Sequence, residues 1–227
     1  MSLILNIETS TTLCSVSLAK EGKLIASKEV NEGYTHAENL HVFIEEVIAK
    51  AGSTVKDLNV IAVGSGPGSY TGLRIGVSAA KGLAYALQIP LIAVNTLQTM
   101  TAMAILQNKA DVLFCPMLDA RRMEVYTAIF DRSLNTVKAT SAQILSEGEL
   151  NFFDTGKPIC FFGDGMPKCK ELLKSIQQAS FIDNIVPSAA ALAEISYQKF
   201  KKEQFEDVAY FEPFYLKDFL VNSKTTK

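Results

Sequence analysis

The stretch richest in chemical potential is Gly64-Ser-Gly-Pro-Gly-Ser-Tyr-Thr-Gly-Leu-Arg-Ile-Gly76, where a glycine-rich turn runs into a helix-forming segment. The backbone N–H groups of such a turn, at the positive end of a helix, suit a phosphate group, and Gly66 and Gly68 are the residues placed to offer them. The segment lacks the Gly-Lys-Ser/Thr ending of a P-loop and does not open the chain as a dinucleotide fingerprint would, so a tight structural turn is the alternative. Two acids follow short apolar runs: Glu8, with Thr9 beside it, and Asp119. A carboxylate there can position a magnesium ion or a water, or it can simply cap its turn. Glu8, Thr9, Gly66, Gly68 and Asp119 together form a candidate phosphate or nucleotide site. Arg74 and the Arg121-Arg122 pair have the guanidinium geometry for phosphate or carboxylate, although solvated arginines are the plainer reading.

Other chemistries are poorly supplied. His36 and His41 are the only histidines, and a spacing of five turns them about 140° apart on a helix, so they do not make an i, i+4 metal pair. No metal site is expected. The chain has no G-x-S-x-G elbow, which leaves a Ser-His-Asp triad without parts. Cys14, Cys115, Cys160 and Cys169 form no C-x-x-C pair and read as core residues. A net charge of -2 and a pI near 5.8 give no basic footprint for gripping RNA unaided, so RNA contact is expected to run through a partner.

The elements that must position these residues follow from period and punctuation. Apolar and alternating runs predict strands over 3–7, 13–18 and 23–30, then a helix over 34–52 with Leu40, Phe43, Ile44 and Val47 on its apolar face. A short strand at 60–63 enters the glycine segment, a helix follows over 73–87, a strand over 90–94, and a helix over 96–108. The second half repeats the plan more loosely. Strands are expected at 112–118 and 124–130, with Asp119 standing where Glu8 stood, then a strand at 158–162, a Gly-Asp-Gly turn and a helix over 168–177. A strand at 182–186, a helix at 188–202, a tail strand at 212–217 and a frayed end at 222–227 complete the reading. The echo divides the chain into lobes at 1–108 and 109–227. Gly68, Gly72, Gly76, Ala80 and Ala84 recur every fourth residue and strip one helix face of side chains. Glycine inside a helix costs up to about 1 kcal/mol, so close packing should compensate, either within the lobe or at a subunit interface built from Leu40, Phe43, Ile44, Val47, Gly72, Gly76, Ala80 and Ala84. No apolar run reaches the roughly 18 residues of a membrane span, and residues 1–6 resemble no secretory signal, so a cytoplasmic, membrane-free protein is expected.

The glycine segment closely resembles that of the TsaB family, also called YeaZ. Supporting landmarks are Leu5-Asn-Ile-Glu-Thr-Ser10, Cys14-Ser-Val-Ser-Leu18, residues 36–48, Ala93-Val-Asn-Thr-Leu97, Asp119-Ala-Arg-Arg-Met-Glu-Val-Tyr126 and Glu212-Pro-Phe-Tyr-Leu216. The resemblance implies an α/β fold of the actin-like ATPase type shared with Hsp70 and sugar kinases, with two tandem lobes. It implies a non-catalytic, dimerising subunit that pairs through its first two helices with a TsaD-like paralogue, the enzyme placing threonylcarbamoyl on the adenosine beside the tRNA anticodon. A TsaE-like ATPase is the implied third member, tRNA is met only through the complex, and the chain alone forms a homodimer. TsaD-like chains carry a His-x-x-x-His metal motif after the glycine-loop helix; residues 93–108 contain no histidine. Glu8 replaces the Asp found in many TsaB-like chains. No cofactor of its own is implied, a nucleotide with magnesium having its place at the complex interface. A free-standing ATPase or small-molecule kinase of the same fold is the alternative, requiring magnesium-competent acids in both lobes.

Overall fold

The computed structural model describes residues 2–33 and 35–217. Its first sheet contains β1 (Leu3–Glu8), β2 (Cys14–Lys20), β3 (Lys23–Val30), β4 (Val60–Gly66) and β5 (Leu91–Asn95) in the order β3-β2-β1-β4-β5. β1, β2 and β3 are antiparallel neighbours, while β4 and β5 run parallel to β1. The second sheet contains β6 (Leu113–Asp119), β7 (Glu124–Phe130), β8 (Thr136–Ile144), β9 (Ile159–Phe162) and β10 (Ala179–Ile182). Its order, β8-β7-β6-β9-β10, repeats that of the first position by position. This duplicated plan of three antiparallel strands followed by two parallel ones gives the chain the expected α/β actin-like fold of two related lobes.

The helices are α1 (His36–Lys50), α2 (Tyr70–Leu87), α3 (Thr96–Gln107), α4 (Met166–Leu173) and α5 (Ala189–Lys201). Strand period sorts the first sheet into two buried faces, as expected for a sheet covered on both sides. Leu5, Ile7, Ile61 and Val63 face α1 and α2, where Leu40, Phe43, Ile44, Val47, Ala80 and Ala84 complete one core. The alternate residues Ile4, Val60, Ala62, Ile92 and Val94 face away and are covered by Leu192 and Ile195 of α5. Thus α5, which follows the second sheet in the chain, closes the first lobe. Conversely, Leu97, Met100 and Ala104 of α3 pack with Phe114, Leu118, Phe130 and Phe162 of the second sheet. The division at 108/109 separates the sheets, while these two helices cross it.

Side chains of the first lobe hold α5 in place through a buried polar seam. Asn6 accepts from Ser196 Oγ at 2.7 Å, Ser17 Oγ donates to the Ala189 carbonyl at 2.7 Å, and Ser15 Oγ accepts from the Ala189 N–H at 3.0 Å. Ser188, the N-cap of α5, donates to Glu29 on β3 at 2.7 Å.

Several local expectations are corrected. β8 was not anticipated. β10 spans Ala179–Ile182 instead of 182–186, and α4 stops at Leu173 because residues 174–178 form turns. The expected tail strand at 212–217 is an irregular segment lying across β4, where the Phe214 N–H donates to the Ser65 carbonyl at 2.7 Å. The expected frayed end at 222–227 lies outside the described residues. Among the described residues no helix is long and apolar enough to cross a membrane.

Candidate functional site at the glycine loop

The turn between β1 and β2 is built into the glycine segment. Each glycine of the stripe meets it at a distance that admits no Cβ. A methyl group at Gly68 would fall on the Ser10 carbonyl, one at Gly72 on the Thr9 carbonyl, and one at Gly76 on Thr9 Oγ1. Thr9 Oγ1 donates to the Gly72 carbonyl at 2.8 Å, and the Ser69 N–H donates to the Ser10 carbonyl at 2.7 Å. Ser69 is also the N-cap of α2, its hydroxyl accepting from the Gly72 N–H at 3.3 Å. The bare helix face therefore receives a turn of its own chain.

That finding corrects the expected interface. Leu40, Phe43, Ile44, Val47, Gly72, Gly76, Ala80 and Ala84 are all buried inside the lobe. The four-residue spacing reports intramolecular packing: Gly72 and Gly76 make room for Thr9, and Ala80 and Ala84 make room for the apolar face of α1.

Glu8 is fully buried, and its carboxyl lies against the Gly64 backbone, where any side chain would collide with it. Its Oε1 accepts the Ser10 N–H at 2.7 Å, while Oε2 is buried with no hydrogen-bond partner among the described residues. Burial raises its pKa against the lowering effect of the Ser10 and Thr9 contacts. A carboxyl in that state favours its proton. Asp119, the second expected acid, is about half exposed and belongs to the second lobe's own network. Its Oδ1 lies 2.5 Å from Lys168 Nζ and accepts the Arg121 N–H at 2.7 Å, and its N–H donates to Asp164 at 3.0 Å. Partial burial works to raise its pKa, but Lys168 and the Arg121 N–H outweigh it and hold the carboxyl below its ordinary value.

The structure thus gathers Glu8, Thr9, Gly68 and the start of α2 into one tight junction, with Asp119 engaged elsewhere. Gly66, at φ +106°, faces a different neighbour: its Cα abuts the Phe214 carbonyl and Leu73. The Ser69 and Gly72 N–H groups at the start of α2 are engaged by the chain itself.

His36 is buried with Nε2 2.8 Å from the Thr11 carbonyl, and burial lowers its pKa; His41 is exposed on α1. Among the described residues no group of three or more His, Cys, Asp or Glu is placed to hold a metal.

Sequence reasoning missed the strap formed by residues 206–217. It pairs with β5 through the Glu206 N–H and the Leu91 carbonyl at 2.9 Å. Lys81 of α2 grips its Phe211 carbonyl at 2.8 Å, Tyr215 meets Tyr70 at a ring separation of 5.0 Å, and Lys217 reaches Glu124 of β7 at 2.5 Å. The Glu-Pro-Phe-Tyr-Leu run was visible, but its apolar residues match a strand period equally well.

Comparison with known proteins gives a consistent result. Residues 31–223 match the sequence profile of the family described as TsaD: tRNA N6-adenosine threonylcarbamoyltransferase. The tRNA threonylcarbamoyladenosine biosynthesis protein TsaB of Escherichia coli is 37% identical over 59% of this chain, a match spanning 57% of that protein. TsaB of Bacillus subtilis is 29% identical over 94% of this chain and 93% of its own length. The solved structure of YeaZ from Pseudomonas aeruginosa superposes with a TM-score of 0.82 at 26% identity, covering 95% of this chain and 100% of that one. By its landmarks, its duplicated fold and these matches, the chain belongs to the TsaB family of tRNA threonylcarbamoyladenosine biosynthesis proteins.

Proposed function

We propose that the chain is a non-catalytic subunit that pairs with a TsaD-like catalytic paralogue and thereby activates transfer of threonylcarbamoyl to the adenosine beside the tRNA anticodon. The observation that carries this reading is the outer face of the α1–α2 layer. With the apolar faces of both helices committed to the core, their solvent faces display Ala37, Val42 and Ala49 on α1 and Ser78, Gly82 and Tyr85 on α2. Val42 is 49% and Tyr85 73% exposed, and nothing lies within 4 Å of a methyl group placed at Gly82. Small residues flanked by exposed apolar ones suit close approach of a partner's helices. The placement of both histidines, one packed on a carbonyl and one lone on a helix surface, supports an activating role over a metal-dependent catalytic one. A TsaE-like ATPase completes the assembly, tRNA is met in the complex, the same face joins two copies when the partner is absent, and the cytoplasm is the compartment. Any nucleotide would sit at the subunit interface, since the Glu8 turn is closed.

The test is nucleoside mass spectrometry on unmodified tRNA incubated with threonylcarbamoyl-adenylate, the catalytic paralogue, the ATPase and ATP, with and without this chain. Modified adenosine is expected only when the chain is present and never with the chain alone. Equal yield on omission refutes the reading. Gly82→Arg should fold normally and abolish both the complex and the product; an intact complex would place the interface elsewhere.

A further inference from the structure

The strap makes one tight turn beside α2, and an outward tyrosine sits on it. Asp207 closes the turn: its carbonyl accepts the Phe211 N–H at 2.8 Å, and its Oδ1 accepts the Ala209 N–H at 2.8 Å and the Tyr210 N–H at 3.2 Å. Lys81 of α2 holds the turn from the side, donating to the Ala209 carbonyl at 3.2 Å and to the Phe211 carbonyl at 2.8 Å. Val208 and Phe211 point inward and pack against the first-lobe core. Tyr210, between the two gripped carbonyls, is 83% exposed, and its side chain has no ring contact or hydrogen bond among the described residues.

This turn stands at the edge of the α1–α2 face. Lys81 lies one helical turn from Ser78 and from Tyr85, both residues of that face. Gly72, nine residues before Lys81 and so about 180° round the helix, faces α1, where an added methyl group would lie 3.4 Å from the His36 ring. The exposed row of α2 therefore runs between α1 on one flank and the strap turn on the other. Among the described residues, Tyr210 and Tyr85 are the most exposed of the large apolar and aromatic side chains. A ring held out in water contributes nothing to folding, whereas a backbone already fixed by hydrogen bonds lowers the ordering cost of association. Tyrosine is also one of the residue types that dominate binding energy at protein interfaces. The charges on the turn disfavour a nucleic acid. Glu206, Asp207 and Glu212 stand against Lys81 and Lys199, the latter facing Glu206, and Glu212 has no ion-pair partner among the described residues.

We infer that the strap turn is a third element of the docking surface, with Tyr210 and Tyr85 seating in apolar pockets of the catalytic paralogue and a lysine or arginine at the rim of those pockets meeting Glu212. Lys81 is the positioning residue that presents Tyr210. The inference deepens the proposed function and rests on it, since the same partner covers the α1–α2 face.

The experiment titrates the purified catalytic paralogue with the purified full chain by calorimetry and records Tm for each variant. Tyr210→Ala removes an exposed ring, so Tm should be unchanged, while the complex should weaken roughly ten- to thirtyfold. Lys81→Met keeps the aliphatic stem and frees the turn; it should weaken the complex about three- to tenfold alone, yet by less than about twofold on top of Tyr210→Ala, because it acts through that ring. Glu212→Gln should lower affinity about two- to threefold at low salt and leave it unchanged at about 0.5 M KCl. Val137→Ala, at an exposed apolar position on the edge strand β8 of the second sheet, should change nothing. Wild-type affinity in Tyr210→Ala, where Gly82→Arg still abolishes the complex, would overturn the inference and leave the proposed function standing. A loss confined to homodimer formation, ATPase recruitment or tRNA binding, with affinity for the paralogue intact, would equally overturn it by giving the turn another occupant. Additive losses from Lys81→Met and Tyr210→Ala would refute the positioning role of Lys81. If the wild-type chain forms no complex with the paralogue, the proposed function fails and the inference with it.

Discussion

Substituting alanine at three glycines of one helix separates internal packing from helix propensity. At Gly72 the new methyl group falls on the Thr9 backbone carbonyl, which belongs to a turn fixed between two buried strands and cannot rotate aside. Overpacking of this kind costs about 1–3 kcal/mol. Displacing α2 also breaks the Thr9 hydroxyl bond to the Gly72 carbonyl, at about 1 kcal/mol, against a helix gain of about 1 kcal/mol from replacing glycine. The net loss is about 2 kcal/mol, or roughly 4–8 °C in Tm for a chain of this size. At Gly76 the methyl group meets Thr9 Oγ1, the end of a side chain that can turn away by surrendering that same bond, so cost and helix gain nearly cancel. At Gly82 nothing lies within 4 Å, so the helix gain stands alone and Tm rises by roughly 2–4 °C. Thermal and urea denaturation of the three variants should rank Gly82→Ala above wild type, Gly76→Ala near it and Gly72→Ala below. Gly72→Ala as stable as Gly82→Ala would refute the claim that the β1–β2 turn is seated in the stripe.

Two further outcomes follow from the buried polar groups. Asn6→Ala leaves Ser196 and Ser17 without their shared partner and should cost about 2–3 kcal/mol by urea denaturation; a loss under about 0.5 kcal/mol would mean the seam contributes nothing. Glu8 has a folded-state pKa above its ordinary 4.5, so the native state holds its proton more tightly than the unfolded chain. Its contribution is therefore greatest at low pH and is lost as pH rises through the raised value. Glu8→Gln cannot titrate, so its stability relative to wild type should increase from about pH 4.5 upward, and parallel pH profiles of the two proteins would count against the buried, protonated carboxyl.

Most of the fold was legible in residue spacing because its central strands are buried on both faces and α2, α3 and α5 start at the capping side chains of Ser69, Asn95 and Ser188. β8 escaped because Thr136–Ile144 is a half-exposed edge strand whose Thr, Lys and Ser residues carry little apolar pattern. The stripe illustrates a sharper limit. Its four-residue period showed that something must approach the helix closely, but spacing along one segment carries no information about which surface fills the gap, and the occupant proved to be Thr9, more than sixty residues earlier. Glu8 and Asp119 were correctly seen as equivalent positions of two repeats. Their different fates depended on Gly64 and Lys168, neighbours supplied by the fold. Likewise, the expected helix at 188–202 carried no sign of which sheet it covers.

The crossing of α5 back to the first sheet governs how the chain must fold. A fragment of residues 1–108 would carry the whole first sheet yet leave Ile4, Val60, Ala62, Ile92 and Val94 open to water, because Leu192 and Ile195 cover them. The seam between Asn6 and Ser196 joins positions 190 apart. During synthesis the early lobe must therefore wait, half covered, until nearly the entire chain has left the ribosome, and repeats that are successive in sequence become native together as one cooperative unit of high contact order.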